Sequence, residues 1–274
     1  MNTKHKNIAN FSAKILAEIN SQDKRWFALQ DVYSLFSNLS EIQIRVQLKR
    51  MVDEGLLMRI CDGVYYIIPY EQNSETFMPD WHLLAEPLVQ GNFYIGYYSA
   101  LQIHQLITQP SLKEQIVVSK RIKPSEKTIK GVKFQFIYHN EKHFFGYKRV
   151  WIDNFNKVFC SDLEKTIVDC LYKPDYAGGI VEIAKAIFMA KDKINYETLL
   201  QYALRFDAQV AIKRLGYLLE LLEIKTPIID ALQKERSFSI ALLDTEAPKV
   251  GKILTRWSIQ QNIDVETIKS AILT

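Results

Sequence analysis

One short segment of the sequence, residues 162–169, concentrates the side-chain types that hydrolytic chemistry requires. It places Asp162, Glu164, Lys165 and Asp169 within eight residues, and clustered carboxylates can hold the divalent metal ion of a nuclease. The apolar residues between them follow helical spacing, however, so Asp162 is better interpreted as a helix N-cap and Glu164 as a favourable charge in the first turn. Asp169 lies one helical turn after Lys165 and is expected to pair with it. We predict that these carboxylates are structural, and a metal-dependent nuclease remains the alternative.

Other catalytic signatures do not occur in the sequence, which contains no GxxxxGK[ST], GxGxxG, GxSxG or HExxH motif. Cys61, Cys160 and Cys170 are odd in number and lack CxxC spacing, which argues against a disulfide framework and is typical of a reducing cytoplasm. His139 and His143 are four residues apart, but they fall in a segment predicted as strand and loop, so a metal pair is not expected. We therefore expect no metal, no cofactor and no enzyme activity, in a cytoplasmic protein.

The positive charge of the chain is unevenly distributed. The net charge is +4, yet residues 113–149 contain ten Lys or Arg and three Asp or Glu, a balance of 10 − 3 = +7. Such a concentration indicates an anionic partner, while a well-solvated lysine-rich hairpin explains it equally well. The candidate second basic patch consists of Lys120, Arg121, Lys123, Lys127, Lys130 and Lys133.

The elements before these segments predict three helices in succession. Apolar residues recur at helical spacing over residues 7–20, and a short second helix is predicted over residues 30–37. The third helix begins after Ser40, a residue type that favours the N-cap. It ends at Gly55, the residue type that favours a helix C-terminus.

A hairpin signal follows the third helix. Two β-rich runs, residues 56–61 and 64–68, flank an Asp62-Gly63 turn. Three helices followed by a hairpin are the order of elements in a winged helix-turn-helix, which binds DNA. The sequence therefore predicts a DNA-binding domain over residues 1–69.

The third helix separates into a packing face and an exposed face at 100° per residue. The packing face is expected to consist of Ile44, Leu48, Met51 and Val52. The opposite face carries the DNA-binding candidates Gln43, Val46, Lys49 and Arg50. On a recognition helix, glutamine can read adenine, a cation can reach guanine or phosphate, and valine can touch a thymine methyl group. Arg59 on the first wing strand is a candidate phosphate contact, and an ordinary solvated face is the alternative.

The rest of the chain predicts a linker and a mixed second domain. Residues 70–80 are polar and flanked by prolines, which is typical of an interdomain linker, so a second domain is expected over residues 81–274. Its predicted strands cover residues 115–119, 132–138 and 150–153, and its predicted helices include residues 162–172, 181–191, 196–206 and 209–222. The expected fold class is α+β, with an N-terminal winged helix-turn-helix followed by a C-terminal domain of a small β-sheet and a helical remainder. No run of 18 apolar residues occurs, so no membrane association is expected.

A group of tyrosines near the start of the second domain allows a further alternative. Tyr94, Tyr97 and Tyr98 lie where a predicted strand passes into a helix, and they could form the ligand site of a small-molecule sensor. Aromatic residues at such positions more often belong to the core, and we expect that role for Tyr97 and Tyr98.

The order of several motifs resembles a known family. The motifs are Gly55-Leu56-Leu57, Gly63-Val64-Tyr65, Tyr97-Tyr98-Ser99-Ala100-Leu101, the segment 162–169, Gly178-Gly179, the segment 214–220 and Trp257. Together they resemble the AbiEi antitoxins of type IV toxin–antitoxin systems, which are linked to abortive phage infection. The resemblance spans nearly the whole chain.

The resemblance implies a protein with two tasks. Its winged helix would repress its own operon by binding inverted repeats in the promoter. Its C-terminal domain would counteract a cognate nucleotidyltransferase toxin of the AbiEii type. That domain is not an established enzyme in the family, so the carboxylates of segment 162–169 would be structural.

Overall fold

The computed structural model describes residues 10–107, 109 and 113–273. Within these residues the chain forms eleven α-helices and three small β-sheets, and the predicted α+β class is confirmed. The chain divides into two compact units, with the boundary between Gly91 and Asn92. No helix in this part of the chain is both long and apolar enough to cross a lipid bilayer.

The first unit combines three helices with a three-stranded sheet. Its elements are α1 (Asn10–Ser21), β1 (Trp26–Ala28), α2 (Leu29–Leu35), α3 (Glu41–Asp53), β2 (Leu57–Cys61) and β3 (Val64–Ile67). The strands are antiparallel in the order β1-β3-β2. Residues 7–9 of the predicted first helix lie outside the described residues.

Local capping explains where α3 and the β2–β3 hairpin begin and end. Ser40 caps α3 by accepting a hydrogen bond from the backbone N–H of Gln43. Gly55 has a φ of +75° just after the helix, a conformation that costs glycine little. Gly63 has a φ of +69° in the hairpin turn, and its carbonyl accepts a hydrogen bond of 2.7 Å from the N–H of Leu29 at the start of α2. The hairpin is therefore fixed to the helical part of the unit.

Residues 81–91 belong to the first unit rather than to the second. They form a 3₁₀ turn (Trp81–Leu84) and α4 (Ala85–Val89), and α4 packs against β1 and β2. Asp80 begins this segment by accepting a hydrogen bond from the N–H of His82.

The second unit begins with a six-stranded mixed sheet. Its elements are β4 (Phe93–Ile95), α5 (Tyr97–Ile103), β5 (Lys113–Val118), β6 (Glu126–Ile129), β7 (Val132–Tyr138), β8 (Tyr147–Trp151) and β9 (Lys157–Ser161). The strand order is β6-β7-β5-β4-β9-β8, with parallel pairs β5–β7 and β4–β9. The strands predicted at residues 115–119 and 132–138 are confirmed, while the one predicted at 150–153 shares only residues 150 and 151 with β8.

A helical layer and a small second sheet complete this unit. The elements are α6 (Leu163–Tyr172), a 3₁₀ turn (Pro174–Tyr176), α7 (Gly179–Ala190), α8 (Tyr196–Phe206), α9 (Gln209–Leu221), α10 (Ile228–Glu235), β10 (Ala241–Leu242), β11 (Lys252–Leu254), β12 (Ile259–Gln261) and α11 (Val265–Ala271). The small sheet has the order β10-β12-β11. One continuous apolar core joins the helices to the inner face of the larger sheet.

Two buried contacts hold α9 in this core. The guanidinium of Arg214 donates hydrogen bonds to the carbonyl oxygens of Leu171 (2.7 Å) and Leu242 (3.1 and 2.9 Å). Gly216 leaves space for the indole of Trp257, because a Cβ at this position would lie 2.1 Å from the ring. Helix α9 therefore connects α6, β10 and the segment that carries Trp257.

Candidate functional site

The predicted recognition face lies on α3, and the structure exposes it. Ile44, Leu48 and Met51 are buried in the core of the first unit, as the helical spacing predicts. On the outer side, Ile42 is 76% and Val46 is 60% exposed. These two β-branched side chains lie one helical turn apart, so the outer face of α3 carries a small exposed apolar patch.

Gln43 is held by the N-terminal cap of α3. Its side-chain oxygen accepts hydrogen bonds from the backbone N–H of Ser40 (2.9 Å) and from the Ser40 hydroxyl (3.0 Å). Reading an adenine with both ends of the amide requires the oxygen and the nitrogen together, so Gln43 has to release the cap to make that contact. In its capped conformation only the amide nitrogen faces outward as a donor.

The cations of α3 differ in how they are engaged. Arg50 donates to Glu54 at 2.8 Å and Arg45 to Glu41 at 2.9 Å, both across one helical turn on the surface. Lys49 is exposed and makes no salt bridge with any carboxylate in the described part of the chain. Surface pairs of this kind are weak because water and salt screen them, so they are easily exchanged for a phosphate.

Arg59 occupies the predicted place on the hairpin. It lies on β2 opposite Tyr65, with its side chain exposed. Its guanidinium pairs with Asp62 at the hairpin turn and donates weakly to the Cys61 carbonyl at 3.4 Å. The hairpin therefore presents one cation whose charge is partly neutralised by its own turn.

The six residues of the second basic patch do not form one surface. Lys120, Arg121 and Lys123 lie in the loop between β5 and β6, where Arg121 stacks on Tyr138 at the end of β7 (4.7 Å). Lys130 lies in the turn at the other end of β7. Strand β7 spans six residue steps, or about 20 Å. The patch is thus divided between the two ends of one strand.

The remaining two cations of that patch point to opposite faces of the sheet. Lys127 is paired with Phe134, and Lys133 is paired with Thr128, so they occupy alternating positions of the β6–β7 hairpin. Lys133 also lies 3.5 Å from the carboxylate of Glu126. The charge that clusters along the sequence is dispersed in space.

The acidic segment 162–169 takes the structural roles expected of it. Asp162 caps α6, accepting hydrogen bonds from the backbone N–H of Lys165 (2.9 Å) and from the Tyr202 hydroxyl (3.0 Å). Burial raises the pKa of the Asp162 carboxyl. Glu164 accepts a hydrogen bond of 2.8 Å from the N–H of Asn195. Within the described residues, no three His, Cys, Asp or Glu side chains are grouped as metal ligands are.

The Lys165–Asp169 pair is the centre of a buried polar cluster that the sequence did not predict. Both side chains are fully buried, and the ammonium pairs with the carboxylate. Tyr94 joins them: its hydroxyl donates to Asp169 Oδ2 (3.0 Å) and accepts from Lys165 Nζ (2.9 Å). The ammonium also lies 5.0–5.2 Å from the ring centres of Tyr94, Phe145 and Phe206. The three rings and the Asp169 carboxylate together replace the interactions with water that the Lys165 ammonium loses on burial.

His139 extends this cluster and is held neutral. Its Nδ1 lies 3.2 Å from the Tyr94 hydroxyl and its Nε2 lies 2.8 Å from the Tyr97 hydroxyl. Because Tyr94 donates its proton to Asp169, the network assigns the ring proton to Nδ1 and lets Nε2 accept from Tyr97. Burial and the nearby Lys165 charge lower the pKa of His139 to about 2.

The tyrosines considered as a ligand site are occupied by these contacts. Tyr94 and Tyr97 are fully buried, and both hydroxyls are hydrogen-bonded within the cluster. Tyr98 is half-buried and donates to the carbonyl oxygen of Gln109 at 2.9 Å. The expected core role of Tyr97 is confirmed.

A surface on the β8–β9 hairpin was also missed by the sequence reasoning. It exposes Trp151, Phe155 and Phe159 beside Arg149 and Lys157. The signal for it was present as an alternation of aromatic and basic residues in both strands. The second strand of this hairpin had not been predicted, so the sequence did not show that the aromatic and basic residues of the two strands share one face.

Comparisons with known proteins bear on the fold alone. The structure is similar to the crystal structure of the RV2827C protein from Mycobacterium tuberculosis, with a TM-score of 0.70 over 98% of this chain and 96% of that chain. The sequence identity is 13%, a level at which the similarity establishes a shared fold. No protein-family model and no curated protein matches the sequence.

Proposed function

We propose that the first unit is a winged helix-turn-helix that inserts α3 into the major groove of double-stranded DNA. The observation that carries the proposal is the outer face of α3, where exposed Ile42 and Val46 lie among cations on a helix whose other side is firmly packed. The β2–β3 hairpin follows α3 directly, as the wing does in this class of domain.

Each residue of the face has a role that fits its chemistry. Val46 is placed to meet a thymine methyl group, and Lys49 and Arg50 to meet guanine or phosphate. Gln43 contributes its amide nitrogen, or the whole amide once the Ser40 cap opens. Arg59 on the wing contacts the DNA backbone.

In the cell, we propose, the protein is a cytoplasmic transcriptional autorepressor and an AbiEi-type antitoxin. It binds inverted repeats in its own promoter and counteracts a nucleotidyltransferase toxin of the AbiEii type. Support comes from the motifs on which the resemblance rests, because several lie at packing positions of the second unit. Arg214 binds two elements, α6 and β10, through backbone carbonyls, and Gly216 receives Trp257.

The DNA-binding half is tested by fluorescence anisotropy on the DNA upstream of the gene and on scrambled DNA of the same length. Lys49→Ala/Arg50→Ala should weaken specific binding by at least tenfold, since a good base contact contributes about 1–3 kcal/mol. The matched control is Lys24→Ala/Lys225→Ala, which removes the same charge from exposed positions off this face. Equal binding of promoter and scrambled DNA, or equal loss in both variants, would refute the assignment.

The salt dependence of the same titration counts the phosphate contacts. Neutralising one phosphate contributes a slope of about −0.9 in log K against log salt. Three cations, Lys49, Arg50 and Arg59, give about −2.7 for one copy and about twice that for two copies on an inverted repeat. A slope near zero contradicts a groove contact by this face.

The antitoxin half needs a separate measurement. Co-expression with a nucleotidyltransferase toxin of the AbiEii type should rescue growth, and the Lys49→Ala/Arg50→Ala protein should rescue it equally when both genes are under a foreign promoter. Loss of rescue in that variant would place toxin neutralisation on the DNA-binding face instead of the second unit.

A further inference from the structure

The β8–β9 hairpin arranges aromatic and cationic side chains in a checkerboard. Arg149 pairs with Phe159 and Trp151 pairs with Lys157 across the two strands. Directly paired residues of antiparallel strands point to the same face, and Arg149 and Trp151 are two residues apart. All four side chains therefore share one face, with each ring beside a cation along the strand and across it.

The cations of this hairpin face contact rings instead of carboxylates. Lys157 Nζ lies 4.2 Å from the ring centre of Trp151, and the guanidinium of Arg149 lies 5.7 Å from that of Phe159. Neither cation, nor the neighbouring Lys148, makes a salt bridge in the described part of the chain. The face thus keeps its positive charge available to an anionic partner.

The turn of the hairpin presents one more ring in a fixed position. Phe155 is 83% exposed. Its backbone N–H and that of Asn156 donate to the Asp153 carboxylate at 2.6 and 2.7 Å, and the Ile152 N–H donates to the Asn156 carbonyl at 3.0 Å. Covering the exposed Phe155 ring with a partner would remove apolar surface from water, which favours a contact outside the chain.

The base of the hairpin is anchored in the core. Tyr147 lies on the same face as Arg149 and stacks on the buried Tyr94, with ring centres 5.2 Å apart and planes inclined by 14°. Tyr94 is itself fixed by Lys165 and Asp169. The outer rings are therefore held on a rigid support, which lowers the entropy lost when a partner binds.

We propose that this face binds single-stranded nucleic acid, independently of the duplex-binding role of α3. A partner must offer flat rings and negative charges in alternation, and an unpaired nucleotide chain offers its bases and phosphates in that way. Bases stack on Trp151 and Phe155, while Arg149 and Lys157 contact phosphates. A duplex does not fit this face, because its bases are stacked on one another.

The test uses the full chain and labelled 20-nucleotide strands of mixed sequence, as RNA, as DNA and as the DNA duplex. Trp151→Ala and Phe155→Ala should each weaken single-strand binding about five- to a hundredfold, the range for losing one stacked base. Binding should also quench tryptophan fluorescence, and Trp151→Phe should remove that quenching while retaining most of the affinity. Tighter binding of RNA than of DNA would identify contacts with the 2′-hydroxyl, and equal binding would identify single strands in general.

Three comparisons make the proposal refutable. Phe238→Ala removes a ring that is 87% exposed elsewhere in the second unit, and it should leave affinity unchanged. Lys49→Ala/Arg50→Ala should lose binding of the promoter duplex and keep single-strand binding. The proposal would be overturned if Trp151→Ala and Phe155→Ala kept wild-type affinity, or if Phe238→Ala lost as much affinity as they do. It would also be overturned if polyglutamate at equal charge displaced the strand, and that result would favour an acidic protein surface as the partner.

Discussion

Acidification should destabilise the second unit through His139. The side chain is 2% exposed, and its pKa is lowered to about 2 in the folded protein, from about 6.5 in the unfolded chain. Between these values the unfolded state binds one proton more than the native state, so the free energy of unfolding falls as pH falls. The slope is about 1.4 kcal/mol per pH unit below pH 6.5, which amounts to about 2 kcal/mol between pH 7 and pH 5.

The main cause is burial, which deprives a charged ring of water, and the positive charge of Lys165 adds to it. The hydroxyl of Tyr94 and the hydroxyl of Tyr97 occupy the two ring nitrogens. Lys165 opposes a second positive charge, and Asp169, whose nearer oxygen is 3.9 Å away, is already paired with that lysine. Protonated His139 would also force Nε2 to donate toward Tyr97, which itself donates in the native network.

Urea unfolding at pH 7 and pH 5, compared between the wild type and His139→Gln, measures this contribution. Glutamine keeps a donor and an acceptor but does not titrate, so the variant should be less stable at pH 7 and lose about 2 kcal/mol less on acidification. His104 and His143, whose pKa values are also lowered by burial, are present in both proteins and cancel in the difference. Hydrogen exchange of α6 peptides assigns the change to the second unit. Equal pH dependence in the two proteins would show that His139 is not neutral and enclosed.

Three further substitutions test the packing and the caps. Asp169→Ala leaves the Lys165 charge buried without its partner and should cost about 3–5 kcal/mol in urea unfolding, whereas Lys165→Met/Asp169→Leu should recover most of that loss. Gly216→Ala places a Cβ 2.1 Å from the ring of Trp257 and should cost about 1–3 kcal/mol together with a change in tryptophan emission. Ser40→Ala removes the N-cap of α3 and should cost about 1 kcal/mol in the unfolding transition of the first unit. An unchanged transition in any of the three contradicts the contact on which it is based.

Local signals in the sequence were sufficient for most of the helices, although α10 and α11 were not predicted. Ser40 and Asp162 cap the helices that they were predicted to cap, because an N-cap depends on residues only three positions apart. The buried face of α3 also follows from helical periodicity. These features need no knowledge of what the helix packs against.

Features that depend on pairing between distant parts of the chain could not be predicted from the sequence. Strands β6 and β9 were not predicted, since their short and partly polar sequences become strands only through pairing with β7 and β8. The spacing of Lys165 and Asp169 predicted an ion pair, but its complete burial depends on the packing of α6 between the sheet and other helices. The basic segment likewise clusters along the sequence and is divided by the geometry of β7.

The two proposed nucleic-acid surfaces differ in whether their cations already pair with carboxylates. Arg50 on α3 and Arg59 on the β2–β3 hairpin are paired with carboxylates, so each would have to exchange one anion for another on reaching a phosphate, and the net gain would be small. In the proposed duplex contact, affinity for random DNA would then be low, and discrimination would rest on contacts of Val46 and Gln43 with base edges. Arg149 on the hairpin face pairs with no carboxylate in the described part of the chain, so its attraction for phosphate is undiminished and independent of sequence. Paired charges thus favour a specific operator, and unpaired charges beside rings favour any unpaired strand.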